Sequence, residues 1–402
     1  MKLKLLSLIA FVGLSNQVIA QEWSPIADMP SGKHHPVTFA IDGFGYSATG
    51  SDPINGASKD FYRYDPTQDS WTTLPDFPGA ARSFAIGYEY EGLGYLGFGM
   101  TNIGGFLKDI YTYNPSIEEW NLLTICPCIA RRHPAFLIVN DKIFVGLGND
   151  QFFNDLNDWW MYDMVADEWT QLPDLPALER HHPFHFVVGG ELYTGLGHGG
   201  PIVYDDWYKF DQTTQDWVTL NDFPGEARVA GSQFNHGDYG YVLSGDGSNH
   251  SFMEEGEFWQ YDPQVDDWTQ MPSHPGISLW APGSFVIDDT VYFFGGESRQ
   301  SFEIQSDAYK FSFAEPTPPQ GSASVHSTDV FLLWPNPTSN ELNIKADFEI
   351  SQVSILSLAG QLVYSEAFSN NSISVSQLSS GIYIMQLTSI TGDTHSARWV
   401  KD

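Results

Sequence analysis

Six histidines, His34, His35, His133, His181, His182 and His185, fall in three short stretches of this 402-residue chain. Imidazoles from separate stretches that met in one place could bind zinc or copper. Beside them stand Lys33, Arg82, Arg131, Arg132, Arg180 and Arg228. Such cations would focus an anionic ligand, and an arginine can hold a carboxylate bidentately. Both sets have a structural reading as well. The histidines pack and hydrogen-bond near a common mouth, which we prefer because their separation in sequence fixes no ligand geometry. The arginines hydrogen-bond neighbouring loops and hold the structure together, and this stays open beside the ligand reading.

Other candidates are weaker. The acidic stretch 149–158 could hold calcium but lacks the Asp-x-Asp-x-Asp-Gly spacing. Gly97-x-Gly99, Gly146-x-Gly148 and Gly195-x-Gly197 end strands and open no helix, so they are not nucleotide loops. Cys126 and Cys128 are the only cysteines. They would pair across Pro127 in an oxidising compartment or, alternatively, form a Cys-x-Cys site, for which no further cysteine completes a ligand set. Neither Gly-x-Ser-x-Gly nor His-Glu-x-x-His occurs, so binding is favoured over catalysis, and no metal and no cofactor is assigned.

The elements that must position these residues repeat. A Tyr or Phe stands seven residues before a Trp at Tyr64/Trp71, Tyr113/Trp120, Tyr162/Trp169, Phe210/Trp217 and Tyr261/Trp268. Trp23 lies 48 residues before Trp71, in step with the series. A period near 50 residues built from short strands predicts propeller blades. Each unit has a Pro-rich turn, a first strand such as 83–86, and a second strand closing on a glycine: Gly50, Gly99, Gly148, Gly197, Gly245 or Gly296. A variable loop follows, then an acidic residue opening the third strand (Asp60, Asp109, Asp158, Asp206, Glu257, Asp307) and a fourth strand at the Trp. Aromatics alternate on the third strand, so one face is buried at period two.

This template resembles the kelch repeat, whose signature is a Gly pair, a Tyr and a Trp at these spacings. Only Gly295-Gly296 is a true pair; Phe98, Leu147, Leu196 and Ser244 replace the first glycine in other copies. The last unit lacks its Trp strand and Trp23 has no unit before it. The expectation is therefore an all-β fold: a six-bladed kelch-type β-propeller closed by the N-terminal strand near 22–26, followed by a small C-terminal β-sandwich.

In such blades the loop into each first strand and the loop after each second strand share one mouth of the central channel. The first set contributes His34, Arg82, Arg132, His181, Arg228 and Trp280, and the second Asp52, Asn102, Asp150, His198, Asp246 and Glu297. These are the candidate ligand-binding residues.

The ends of the chain concern transport. Lys2 and Lys4 precede an apolar run at 5–14 and the small-residue site Val18-Ile19-Ala20, which reads as a signal peptide over 1–20. The propeller is expected over 21–313, a Pro/Ser-rich linker over 314–329 and the β-sandwich over 330–402, with strands at 342–344, 353–356, 361–364, 373–375, 382–387 and 395–400. The tail carries Pro335-Asn336-Pro337, Leu342-Asn343-Ile344, Leu358-Ala359-Gly360-Gln361-Leu362-Val363, Leu378-Ser379-Ser380-Gly381-Ile382-Tyr383 and a basic end, Arg398-Trp399-Val400-Lys401. It resembles the type A sorting domain of the type IX secretion system of Bacteroidetes. That resemblance implies engagement of the secretion machinery through 330–402 and a secreted or surface-attached protein. The alternative for the tail is an accessory carbohydrate-binding sandwich.

Fifty acidic against 18 basic side chains give a net charge of -32, which repels nucleic acid and anionic membranes. No transmembrane segment is expected in the mature chain. The leading expectation is a binding module for a glycan or protein. The runner-up is a carbohydrate-active enzyme similar to the kelch-type sialic acid mutarotases, its arginines gripping the sugar carboxylate.

Overall fold

The computed structural model describes residues 22–313 and, towards the C-terminus, 331–334, 338–346, 348–357, 362–368, 372–379, 381–390 and 394–401. The expected signal peptide, the linker, Pro335-Asn336-Pro337, Leu358 to Gln361 and Ser380 lie outside the described residues. The chain divides into two compact units, 1–316 and 317–402.

The first unit is a ring of six four-stranded antiparallel blades. Blade 3 shows the plan: Ala135–Val139 is innermost, followed by Lys142–Gly146, Trp159–Asp163 and, outermost, Glu168–Leu172. Blades 1, 2, 4, 5 and 6 begin at Val37–Ile41, Ile86–Tyr90, Phe184–Val188, Ser232–His236 and Gly283–Ile287. The first strand expected at 83–86 thus starts later, and Ser83 instead bridges Met100.

The seven-residue Tyr-to-Trp spacing is the span of a tight hairpin. Tyr64 pairs with Trp71, Tyr113 with Trp120, Tyr162 with Trp169, Phe210 with Trp217 and Tyr261 with Trp268, all directly across the last two strands. Cross-strand aromatic pairs of this kind stabilise a sheet by about 0.2–1 kcal/mol each. The hydroxyls of Tyr64, Tyr162 and Tyr261 donate to the turn aspartate two residues before the Trp, as from Tyr162 to Asp167 at 2.6 Å. The indole then reaches the preceding blade: Trp71 Nε1 donates to the Ala27 carbonyl at 3.0 Å and Trp217 to that of Pro173 at 3.2 Å. Aromatic cores therefore span neighbouring blades, as where Trp159 packs with Phe210 and Trp217.

Closure follows the orphan Trp. Ser24–Ile26 is the outermost strand of blade 6, where Ser24 faces Lys310 and Ile26 faces Ala308. The two ends of the propeller are thereby sewn into one sheet, leaving no open edge in the ring. Trp23 donates to the Pro272 carbonyl of blade 5 at 2.8 Å, as Trp71 and Trp217 do to the blades before them, whereas the Trp120 and Trp268 indole nitrogens are buried without a partner among the described residues. Cys126 and Cys128 are buried and joined in a disulfide.

The second unit has a three-stranded sheet (Phe331–Trp334, Glu341–Ala346, Ser372–Ser374) and a four-stranded sheet ordered Leu362–Ala367, Ile350–Ser357, Gly381–Ser389, Thr394–Lys401. Leu342, Ile344, Val353, Ile355, Met385, Leu387 and Trp399 bury the core between them. Phe331–Trp334 is a strand the pattern of alternation did not reveal.

Candidate functional site

In every blade, one residue of the loop into the first strand pairs with one residue of the loop leaving the second. The pairs are His34 with Ser51, Ser83 with Met100, Arg132 with Asn149, His181 with His198, Val229 with Asp246 and Trp280 with Glu297. These bridges fix the register of the mouth. Side chains one residue to either side point elsewhere.

The preceding residue turns into the blade, which overturns the cationic ring expected of Lys33, Arg82, Arg131, Arg180 and Arg228. All five are fully buried. Arg82 holds Asp109 through two hydrogen bonds of 2.7 and 3.0 Å and also donates to the Phe98 carbonyl. Arg131 does the same with Asp158 and the Leu147 carbonyl, and Arg180 with Asp206 and Leu196. Arg228 meets Glu257 at 2.5 Å and Lys33 meets Asp60 at 2.5 Å. Burial pushes the Asp158 carboxyl up, but the hydrogen bonds and charge of Arg131 outweigh it and hold the group below its usual value. The clamps of Lys33, Arg82, Arg131 and Arg180 tie three segments of one blade together, the loop into the first strand, the loop after the second and the start of the third, and Arg228 joins the first of these to the third. Arg82 and Arg228 are thus scaffold, one residue out of register with His34, Arg132, His181 and Trp280.

The residue after each bridge forms an inner ring about the channel: His35, Phe84, His133, His182, Ala230 and Ala281. All six have positive φ, between 51° and 57°, a conformation uncommon outside glycine and concentrated at functional sites. Backbone bonds link the ring, His35 N to Ala281 O at 2.8 Å, His133 N to Phe84 O at 3.0 Å and His182 N to His133 O at 3.2 Å. Half of this ring is histidine. His35 Nε2 stands 2.9 Å from His182 Nε2, and the His133 and His182 rings stack 3.4 Å apart. His34 Nδ1 lies 2.8 Å from His35 Nδ1, and His181 Nδ1 lies 2.5 Å from Asp155 Oδ1. His198 joins through His182 Nδ1 at 3.4 Å, and His250 stacks on its edge at 4.4 Å.

Burial, aided by neighbouring cations and imidazoles, disfavours the charged form of His34, His35, His133, His182 and His198. It lowers His34 to about 4 and His198 to about 3, and holds His35, His133 and His182 well below the ordinary histidine value. The ring closes one end of a central channel of about 530 Å³ lined by the first strands of all six blades. His185 stands in the channel wall, bonded to the Pro183 carbonyl at 3.3 Å, apart from the cluster.

Outside the inner ring, Trp280 is covered on one side by the Arg299 guanidinium at 4.1 Å and touches His35 at 4.5 Å. Arg299 bridges Asp246 at 3.0 Å and Glu297 at 2.8 Å. Burial raises the Asp246 carboxyl despite that arginine, and its second oxygen has no partner. Arg132 donates to Asn149 at 3.0 Å and lies against Phe84, Phe106 and Phe153, with no ion pair among the described residues. Asp150 instead caps its own loop, accepting from Phe152 N and Asn154 N. Asp52 caps likewise, while Asn102 ties its loop to Asn55 and Ala57. With Asp150 capping, Asp155 on His181 and Asp158 on Arg131, the stretch 149–158 brings together no carboxylate set for calcium.

Sequence reasoning missed Arg299, His250, Asp155 and Phe84. It also missed a crown of exposed apolar side chains at the tips of the loops after the second strands: Ile54 (87% exposed), Ile103 (96%), Phe152 (73%), Phe153 (62%), Ile202 (52%) and Phe302 (73%). Blade 3 contributes two of these, blades 1, 2, 4 and 6 one each, and blade 5 none. These loops vary in sequence, so no periodic signal marks their tips. The antiparallel plan brings them all to the mouth where the histidines lie.

Residues 332–402 match the secretion system C-terminal sorting domain. The tail carries a sorting-domain sequence. A sorting domain implies secretion, and here it follows a propeller whose structure is similar to that described as "Structure of YjhT". That similarity has a TM-score of 0.59 at 16% identity and covers 71% of this chain and 96% of the other. Together with the repeats it supports a kelch-like propeller and bears on the fold alone. No curated protein matches the chain significantly.

Proposed function

We propose that this is an exported binding module that captures a protein ligand across the crowned mouth of its propeller. The observation that carries the reading is the crown itself. Six large apolar side chains are held in water, five of them on loops whose bases are tied by buried ion pairs, at the end of the propeller where Trp280, Arg132 and the histidines converge. Exposed apolar side chains gathered round one mouth mark an interaction site. Isoleucines at three of the tips suit a protein surface better than a sugar, which stacks on aromatic faces. The strong negative charge disfavours an anionic membrane as the target. Trp280 and Arg132 would supply the anchoring contacts, since Trp and Arg are enriched among residues that dominate binding energy.

Replacing Ile54, Phe152 and Phe302 together by Ser is expected to abolish ligand capture from a surface-protein fraction with no loss of thermal stability. Retention of capture, or binding that appears only on a glycan array, would overturn this.

A second reading, an enzyme similar to the kelch-type sialic acid mutarotases, draws on Arg132, whose guanidinium has no carboxylate partner among the described residues. It predicts that the protein accelerates sialic acid anomer exchange measured by NMR and that Arg132→Ala removes the effect.

A further inference from the structure

We propose that the inner ring binds one divalent transition-metal ion, Zn2+, Ni2+ or Cu2+, on the channel axis between His35, His133 and His182. Separation in sequence fixed no geometry for these residues; the propeller supplies it. Each occupies the same position in its blade, and the ligand nitrogens of the three lie within 4.8 Å of one another.

His35 and His182 direct Nε2 atoms at each other, 2.9 Å apart. The other nitrogen of each is already held, by His34 Nδ1 at 2.8 Å and by His198 Nε2 at 3.4 Å. A hydrogen bond to the other ring nitrogen fixes the orientation and the tautomer of a metal-bound imidazole. His133 adds a separate observation. It is buried to 7% exposure, and neither ring nitrogen has a hydrogen-bond partner. A buried imidazole left without partners is costly, and a cation accepting its lone pair satisfies it.

Tetrahedral zinc with bonds of about 2.0–2.1 Å places its ligand nitrogens about 3.3 Å apart. Reaching that spacing takes rotation of the rings, above all of His133, which lies stacked on His182. Three neutral imidazoles with no carboxylate among them select borderline metals over calcium or magnesium. The channel offers room for a solvent molecule at the fourth position. The site is distinct from the crown and does not depend on the protein-binding reading.

The test uses the full chain, purified through a tag without histidines, stripped with chelator and titrated with Zn2+ and Co2+. The expected result is one tightly held zinc per chain after desalting, a raised melting temperature, and a Co2+ visible spectrum with the intense bands of a low-coordinate nitrogen site. His133→Gln and His182→Asn should each weaken zinc binding by at least about 100-fold, whereas His185→Gln in the channel wall should leave it unchanged. No zinc retained, a Co2+ spectrum of the weak hexaaqua type, or undiminished affinity in the His133 variant would overturn the site. Loss through His198→Asn with His133→Gln unaffected would overturn it equally. The Co2+ spectrum of the unsubstituted protein decides the matter even where a variant fails to fold.

Discussion

At the scale of residues, the propeller depends on groups kept in one protonation state by burial. His274 is fully enclosed and lowered to about 4 from 6.5, as is His185. The unfolded chain therefore binds more protons than the folded one as pH falls, and acid favours unfolding. The contribution of each is full above pH 6.5 and is lost as pH drops towards 4, about 3 kcal/mol per group. Urea midpoints should accordingly fall between pH 7.5 and pH 4.5, before the carboxylates of the clamps titrate. A flat profile across that range would show that the histidines are hydrated in solution.

The clamps give a second expectation. Arg131→Leu strands Asp158 and should destabilise the propeller by about 3 kcal/mol, while Arg131→Leu with Asp158→Leu should recover most of the loss. Arg132→Ala, one residue on, should change stability by less than about 1 kcal/mol. Chemical denaturation of the four proteins separates scaffold from site. Much of this was in the sequence: basic residues at 33, 82, 131 and 180 precede an acid by 26 or 27 residues, and a spacing that recurs from blade to blade is that of a paired contact. The direction of each side chain was not, because Arg131 and Arg132 differ by one position and only the bridge to Asn149 says which faces the mouth.

At the scale of elements, the glycine closing each second strand is a backbone requirement. Gly148 has φ +89°, and a Cβ there would lie 2.6 Å from the Arg132 carbonyl oxygen. Gly43, in a hairpin turn, has φ +78° with nothing within 4 Å. Gly43→Ala should therefore cost about 1–2 kcal/mol, from φ alone, and Gly148→Ala roughly 3 kcal/mol; equal melting temperatures would contradict this. The residue before the glycine also has positive φ, 63° at Phe98 and 60° at Leu147, so the degenerate copies keep the shape of the Gly pair. Strand order, the Tyr–Trp register and the closing strand were legible because period, spacing and one orphan Trp sufficed. The loop tips were not, since nothing in a variable loop distinguishes an apolar residue that turns inward, such as Met253, from one that stays in water, such as Phe302.

At the scale of the molecule, a negatively charged propeller is joined to a tail that addresses it for export. Removing residues 332–402 should retain the protein in the periplasm of a Bacteroidetes host, and fractionation followed by immunoblotting reads that directly. An unchanged extracellular fraction would detach the tail from sorting. Once outside, the two ends of the propeller are expected to behave differently. The turns between third and fourth strands also expose apolar residues, Ile117, Val165 and Val265, but these lie at the end away from the histidines. A photo-crosslinking residue placed at Phe152 or Phe302, and for comparison at Val165, in the exported protein on living cells distinguishes the ends. One discrete protein adduct is expected from both crown positions and none from Val165. No adduct at the crown, or the same adduct from Val165, would contradict that expectation.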